Sequence, residues 1–132
     1  MVKKYYVGSL LIQRYGHLLS PFWVYGSIVS QPSANQSLVQ HTVSRKYGYI
    51  YGFFITASEG NDFNIEWTDI NNQTITYRVS MAGKGTVHYA DTIPLNEGRA
   101  VKQNTSISIK VVNAGGSGSY YQAGMLIGEV DG

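Results

Sequence analysis

The sequence predicts an antiparallel all-β fold, a two-sheet β-sandwich of jelly-roll type. Three segments carry that expectation. Residues 62–68, Asp62-Phe63-Asn64-Ile65-Glu66-Trp67-Thr68, alternate polar and apolar without a fault. Residues 73–80 set Ile75, Tyr77 and Val79 against Thr74, Thr76 and Arg78, and residues 105–112 set Ile107, Ile109 and Val111 against Ser106, Ser108 and Lys110. Successive side chains of a strand point to opposite faces, so each segment reads as a strand with one buried and one wet face. One-sided burial of this kind belongs to antiparallel sheets.

The remaining elements follow in chain order. Residues 5–12 form a first strand, with Gly8, Ser9, Gln13 and Arg14 arguing against a signal peptide. Ser20-Pro21 breaks the chain, and residues 22–29 make a second strand that contains Gly26. Pro32 and Asn35 mark a loop over 30–36. A short strand over 38–43 leads to a turn at Arg45-Lys46. Residues 47–57 are the most apolar segment, with Tyr49, Tyr51, Phe53 and Ile55 on one face and Ile50 and Phe54 on the other. Large apolar groups on both faces predict a central strand, covered by the opposite sheet on one side and a neighbouring subunit on the other. Turns at 58–61 and 69–72 bound the strand over 62–68 and set it in a hairpin with 73–80. Gly83-Lys84-Gly85 turns into a strand over 86–90, and residues 91–103, with Pro94 and the turn Asn96-Glu97-Gly98, make an irregular link. The strand over 105–112, a Gly/Ser loop over 113–119 and a long strand over 120–130 complete the chain. About eight or nine strands at this spacing favour a jelly roll over an immunoglobulin-like sandwich. Gly48, Gly52, Gly124 and Gly128 lie inside strands, where they mark either bulges and close backbone approach or gaps across which large neighbouring side chains lie.

The whole chain of 132 residues, 1–132, is expected to form one domain. Such a length buries roughly 65–70% of its unfolded surface, enough for a core without staples. There is no Cys, which excludes disulfides, thiolate chemistry and Cys-based zinc sites. The formal net charge is +2 with no long basic run, so no dedicated nucleic-acid site is expected; Lys3-Lys4 and Arg45-Lys46 read as a solvated end and a turn. No apolar stretch reaches the ~20 residues of a membrane helix. Charged residues are only 14%, and polarity comes from Ser, Thr, Asn, Gln and Gly. The 11 Tyr express either plain strand propensity or contacts with a partner.

No constellation of side chains carries recognisable catalytic chemistry, and no cofactor or metal is expected. His17, His41 and His88 fall on separate elements without ligand spacing. Gly116-Ser117-Gly118-Ser119 reads as a flexible loop, not a nucleophile elbow or phosphate cradle. Asp62 and Glu66 share a strand face but sit roughly 13 Å apart along the backbone. Glu59, Asp62 and Asp69 near hairpin ends have the oxygen chemistry of a calcium site but no EF-hand spacing. Asn35-Gln36-Ser37, Asn72-Gln73-Thr74 and Asn104-Thr105-Ser106 fit the N-glycosylation pattern at loop-to-strand junctions. Trp67 shares its face with Phe63 and Ile65 and is assigned to the core. Trp23, Tyr49 and Tyr51, with Tyr47 beside them, are candidates for a sugar-stacking platform. Tyr120 and Tyr121, beside the Gly/Ser loop, are candidate contact residues.

The closing run from Asn113-Ala114-Gly115-Gly116 through Tyr120-Tyr121-Gln122-Ala123-Gly124-Met125-Leu126-Ile127-Gly128-Glu129-Val130, the preceding Ser106-Ile107-Ser108-Ile109-Lys110-Val111-Val112 and the short length resemble the small single-jelly-roll structural proteins of viruses, including those infecting archaea. The resemblance implies a capsid, spike or decoration assembly built by symmetric contacts, although no long basic arm is present to touch a genome. The expectation from sequence is therefore a non-enzymatic structural protein that self-assembles into a homo-oligomer, located in a virion or otherwise extracellular, with Tyr49, Tyr51, Tyr120 and Tyr121 at its contacts and other virion proteins as partners. The alternative is a carbohydrate-binding, lectin-like β-sandwich whose partner is a glycan.

Overall fold

A computed structural model describes residues 21–89 and 100–130. The expected strand over 5–12, the pair Lys3-Lys4, His17 and the turn at 96–98 lie outside the described residues. The strands are β1 (Phe22–Tyr25), β2 (Val29–Ser30), β3 (Ser37–Thr42), β4 (Tyr47–Ala57), β5 (Asn61–Thr68), β6 (Thr74–Met81), β7 (Gly85–Tyr89), β8 (Val101–Lys102), β9 (Ser106–Val111) and β10 (Tyr120–Val130).

They form two antiparallel sheets, one ordered β1-β10-β4-β7 with β2 on β10 and β8 on β4, the other ordered β3-β9-β5-β6. The hairpin β5·β6 is the tip of a nested set of antiparallel pairs, continued by β4·β7, β3·β9 and β1·β10. Successive pairs fall in alternate sheets, as if one long hairpin had been rolled across the two layers. The β10·β4 and β9·β5 ladders then close each sheet. That is a jelly roll. β4 and β10, the two most apolar strands, lie in mid-sheet as their composition requires.

Between the sheets Phe63, Ile65 and Trp67 of β5 meet Ile107, Ile109 and Val111 of β9 and, from the other layer, Ile50, Phe53, Ile55, Met125 and Ile127. All are essentially inaccessible to water. Trp67 takes its assigned core place. Ile75 of β6 is buried with them, and Tyr77 and Val79 pack partly against them.

Three sequence expectations need correction. The strand over 22–29 is two strands, because at Gly26 the chain passes close to β3: a Cβ there would lie 2.1 Å from the Leu38 carbonyl oxygen, and the Gly26 amide donates to the Ala123 carbonyl at 2.9 Å. The irregular link contains the short strand β8, which lies against Tyr47 and Gly48. The face assignment in β4 also fails. Gly52 pairs with Leu126, but Ile50 pairs with Ile127, so Tyr51 is an extra residue in a bulge. The alternation resets there. Phe53, Ile55 and Ile50 all face the core, while Tyr49 and Tyr51 belong to a separate cluster with Ala100 and Val130, packed by Tyr47 and Leu126. The outer cover of this end of β4 therefore includes residues of the same chain.

Candidate functional site

The outer face of the β1-β10-β4-β7 sheet carries an aromatic cluster built by register. On β1 the sequence Phe22-Trp23-Val24-Tyr25 alternates: Phe22 and Val24 pack on the core, so Trp23 and Tyr25 face outward. Tyr25 pairs with Gly124 of β10, which pairs in turn with Phe54 of β4. The middle member of that row has no side chain. A Cβ on Gly124 would lie 2.3 Å from Phe54 Cε2, so the Phe54 ring occupies the space above it. Phe54 thereby reaches both β1 aromatics, with ring centroids 6.0 Å from Trp23 and 6.1 Å from Tyr25. Trp23 and Tyr25 are nearly parallel, 5.8 Å apart. Tyr25 is 64% and Trp23 36% exposed, large values for rings of this size.

Of the residues singled out from sequence, Trp23 is in this cluster. Tyr120 is exposed, at the other end of β10. Tyr49, Tyr51 and Tyr121 are buried and cannot serve as surface contacts in this conformation. The bulge brings Tyr51 over β10, where a Cβ on Gly128 would lie 2.6 Å from its hydroxyl; burial pushes its phenol pKa well up. Tyr121 faces inward, edge-on to Phe63, and its hydroxyl donates to Glu59 at 2.8 Å and accepts from Asn61 at 3.1 Å. Two of the four strand glycines thus leave room for rings from the neighbouring strand. Sequence reasoning missed Tyr25 and Phe54. The i, i+2 spacing of Trp23 and Tyr25 was the available signal; Phe54 needed the register.

The opposite outer face, on the β3-β9-β5-β6 sheet, is polar. Ser106 and Ser108 on the inner strand β9 are short, while Gln40 on β3 and Glu66 on β5 flank them with longer side chains. The result is a shallow groove of about 340 Å³. Lys110 stands in its lining, its ammonium 3.1 Å from Glu66.

The described carboxylates have structural partners. Asp69 is buried and accepts from the amides of Asn71 and Gln73, shaping the β5–β6 turn. Asp62 faces Arg78 at 3.6 Å. Glu59 accepts from the Gly116 amide and the Tyr121 hydroxyl, and these bonds hold its carboxyl below the usual range. Glu129, 3% exposed, accepts from His41 Nε2 at 2.7 Å, from the amides of Ser44 and Arg45 at 3.0 and 2.8 Å, and from the Ser44 hydroxyl at 3.2 Å. Burial raises its pKa, but the bonds from His41, Arg45 and Ser44 outweigh it and hold the carboxyl below its ordinary value. Glu59, Asp62 and Asp69 are not gathered at one point as calcium ligands would be: among the described residues no group of three or more His, Asp or Glu is clustered for a metal. Asn35, Asn72 and Asn104 of the three glycosylation triplets are exposed and share a left-handed backbone, φ 63, 63 and 66°, which Asn tolerates in turns. Among the described residues no helix is long and apolar enough to cross a membrane.

No family model matches the chain, and no curated protein matches it. Among solved structures, it is similar to AlgX of Pseudomonas aeruginosa (TM-score 0.48, 10% identity, over 79% of this chain and 25% of that one). It is similar also to the globular domain of zebrafish complement 1qA (TM-score 0.48, 11% identity, over 83% and 95%). A third likeness is to the CBM22-1 and GH10 modules of a Clostridium thermocellum endo-1,4-beta-D-xylanase complexed with xylohexaose (TM-score 0.44, 11% identity, over 86% and 25%). The chain spans about a quarter of AlgX. At these scores the likenesses say nothing of ligand or activity, and the jelly-roll assignment stands on the strand order itself.

Proposed function

We propose that this protein is a non-catalytic β-sandwich binding module whose ligand is a glycan, held on the aromatic cluster of Trp23, Tyr25 and Phe54. The observation that carries the reading is the exposure of the Trp23–Tyr25 pair on the outer face of the sheet, flanked by Phe54 over Gly124. A pyranose presents one face of C–H groups, which stack on an aromatic ring, while its rim of hydroxyls stays hydrogen-bonded to water or to side chains such as the Tyr25 hydroxyl. Strand-borne rings need little ordering on binding. A glycan array tests the reading. Wild type is expected to retain a restricted set of glycans, and Trp23→Ala or Tyr25→Ala to lose about tenfold or more in affinity for each. Binding that both variants leave unchanged would remove the aromatic face from the site.

A second reading keeps the assembly suggested by the viral resemblance: a self-associating structural protein of a virion or extracellular layer. Its supporting observation is that Trp23, Tyr25, Ile28 and Tyr120 are all exposed, a composition typical of the cores of subunit interfaces.

A further inference from the structure

We infer that the polar groove on the β3-β9-β5-β6 sheet is a second site, which binds a saccharide segment by hydrogen bonds to its hydroxyls. The choice of a glycan as ligand rests on the proposed function; the groove itself does not. It exists because the inner strand β9 sets the short Ser108, 7% exposed at the floor, between the longer Gln40 and Glu66, with Ser106 beside it opposite Thr42. Its chemistry is narrow. Glu66 and Lys110 neutralise one another at 3.1 Å, so the groove carries no net charge to attract a phosphate or a basic peptide. Its outward side chains are hydroxyls, an amide, a carboxylate and an ammonium, which offer donors and acceptors together. Trp67, although it lines the groove, is only 2% exposed, so there is no apolar socket for a peptide side chain or lipid. A neutral, polyhydroxylated ring matches that inventory.

Bonds already present leave capacity. Gln40 donates to the Ser106 hydroxyl at 3.3 Å, a long bond, and Thr42 bonds the same hydroxyl at 3.0 Å, so Ser106 keeps room for one further hydrogen bond. Glu66 and Lys110 are 28% and 34% exposed at the side chain, so a bidentate contact from adjacent sugar hydroxyls can reach both. The two faces look in opposite directions across a sandwich whose layers lie about 10 Å apart. One molecule would bridge two glycan chains, or two distant parts of one.

The test is an amide-resolved NMR titration of wild type, Trp23→Ala and the double variant Gln40→Ala/Lys110→Ala. Xylohexaose, cellohexaose and maltohexaose are each taken to about 10 mM, enough to occupy a site of millimolar Kd. The expected result is movement of the Gln40, Thr68, Ser106 and Ser108 amides in wild type, retained in Trp23→Ala and weakened about tenfold in the double variant. Movement confined to Trp23, Tyr25, Phe54 and Gly124 would overturn the groove site and leave the aromatic reading standing. Movement confined to the groove would uphold the groove and overturn the aromatic reading. No movement on either face, or groove shifts untouched by the double variant, would overturn the inference.

Discussion

Glu129 shows how a single buried charge is made tolerable. It is removed from water at the end of β10, yet His41, Ser44 and the Arg45 amide give its two oxygens four donors. They tie residues 44–45 of the β3–β4 connection to the opposite sheet. The folded carboxyl titrates below its ordinary value of 4.5, so the stability it supplies is fully present above about 4.5 and is lost as pH falls through the lower folded value. Thermal unfolding followed from about pH 6 to about pH 3 should show a falling Tm in the acid limb. Glu129→Gln should cost about 2 kcal/mol at neutral pH, because its amide group presents a donor to donors, and should flatten that limb. An unaltered acid limb in the variant would remove Glu129 from the account. Gly124 is the second residue whose identity matters. Strand propensity alone makes Gly124→Ala favourable, but the new methyl would meet the Phe54 ring. The expected outcome is a loss of about 1–3 kcal/mol in denaturant unfolding and, on the proposed function, weaker glycan retention because Phe54 is displaced.

Among the elements, β4 is where a rule of alternation misled. Reading residues 47–57 as an unbroken strand puts Tyr49, Tyr51, Phe53 and Ile55 on one face, whereas the bulge at Tyr51 sends Tyr49 and Tyr51 outward and Ile50 inward. A bulge adds one residue to one strand without a matching change in its partner, and its local signal is weak. Because Gly52 and Ile50 already pair with consecutive residues of β10, deleting Tyr51 should leave a regular ladder with Ile50 still in the core. The deletion is expected to fold with an unchanged β-type circular dichroism spectrum and a lowered Tm. Deleting Ile55, which lies in the regular part of the same ladder, should invert the faces beyond it and abolish the fold. Equal behaviour of the two deletions would contradict the bulge assignment.

At the scale of the whole molecule, the roll of nested pairs leaves two outer faces of opposite character, one aromatic and one polar. If the aromatic face serves a glycan, static light scattering at micromolar concentration should return the mass of one chain, the same for wild type and for Trp23→Ala/Tyr25→Ala. A multiple of that mass, reduced to one chain by the double variant, would instead place the face in a subunit interface. The strand order that creates these faces was only partly legible in advance. Period-two patterning in residues 62–68, 73–80 and 105–112 identified the strands, the face of each that would be buried, and Trp67 as core. The apolar composition of residues 47–57 and 120–130 marked β4 and β10 as mid-sheet strands, which is where they lie. The jelly-roll choice followed from strand number.

What the linear chain could specify was therefore local: where the pleat alternates, where turns interrupt it, and which side of each strand is apolar. These depend on neighbours within a few residues. Which strands lie side by side, and hence that Tyr25, Gly124 and Phe54 form one row or that Ser108 lies between Gln40 and Glu66, was decided only on folding. The physical reason is that a cross-strand row joins residues distant in sequence, and one bulged residue is enough to turn the tyrosines of β4 from core positions into a cluster on the other side of the sheet.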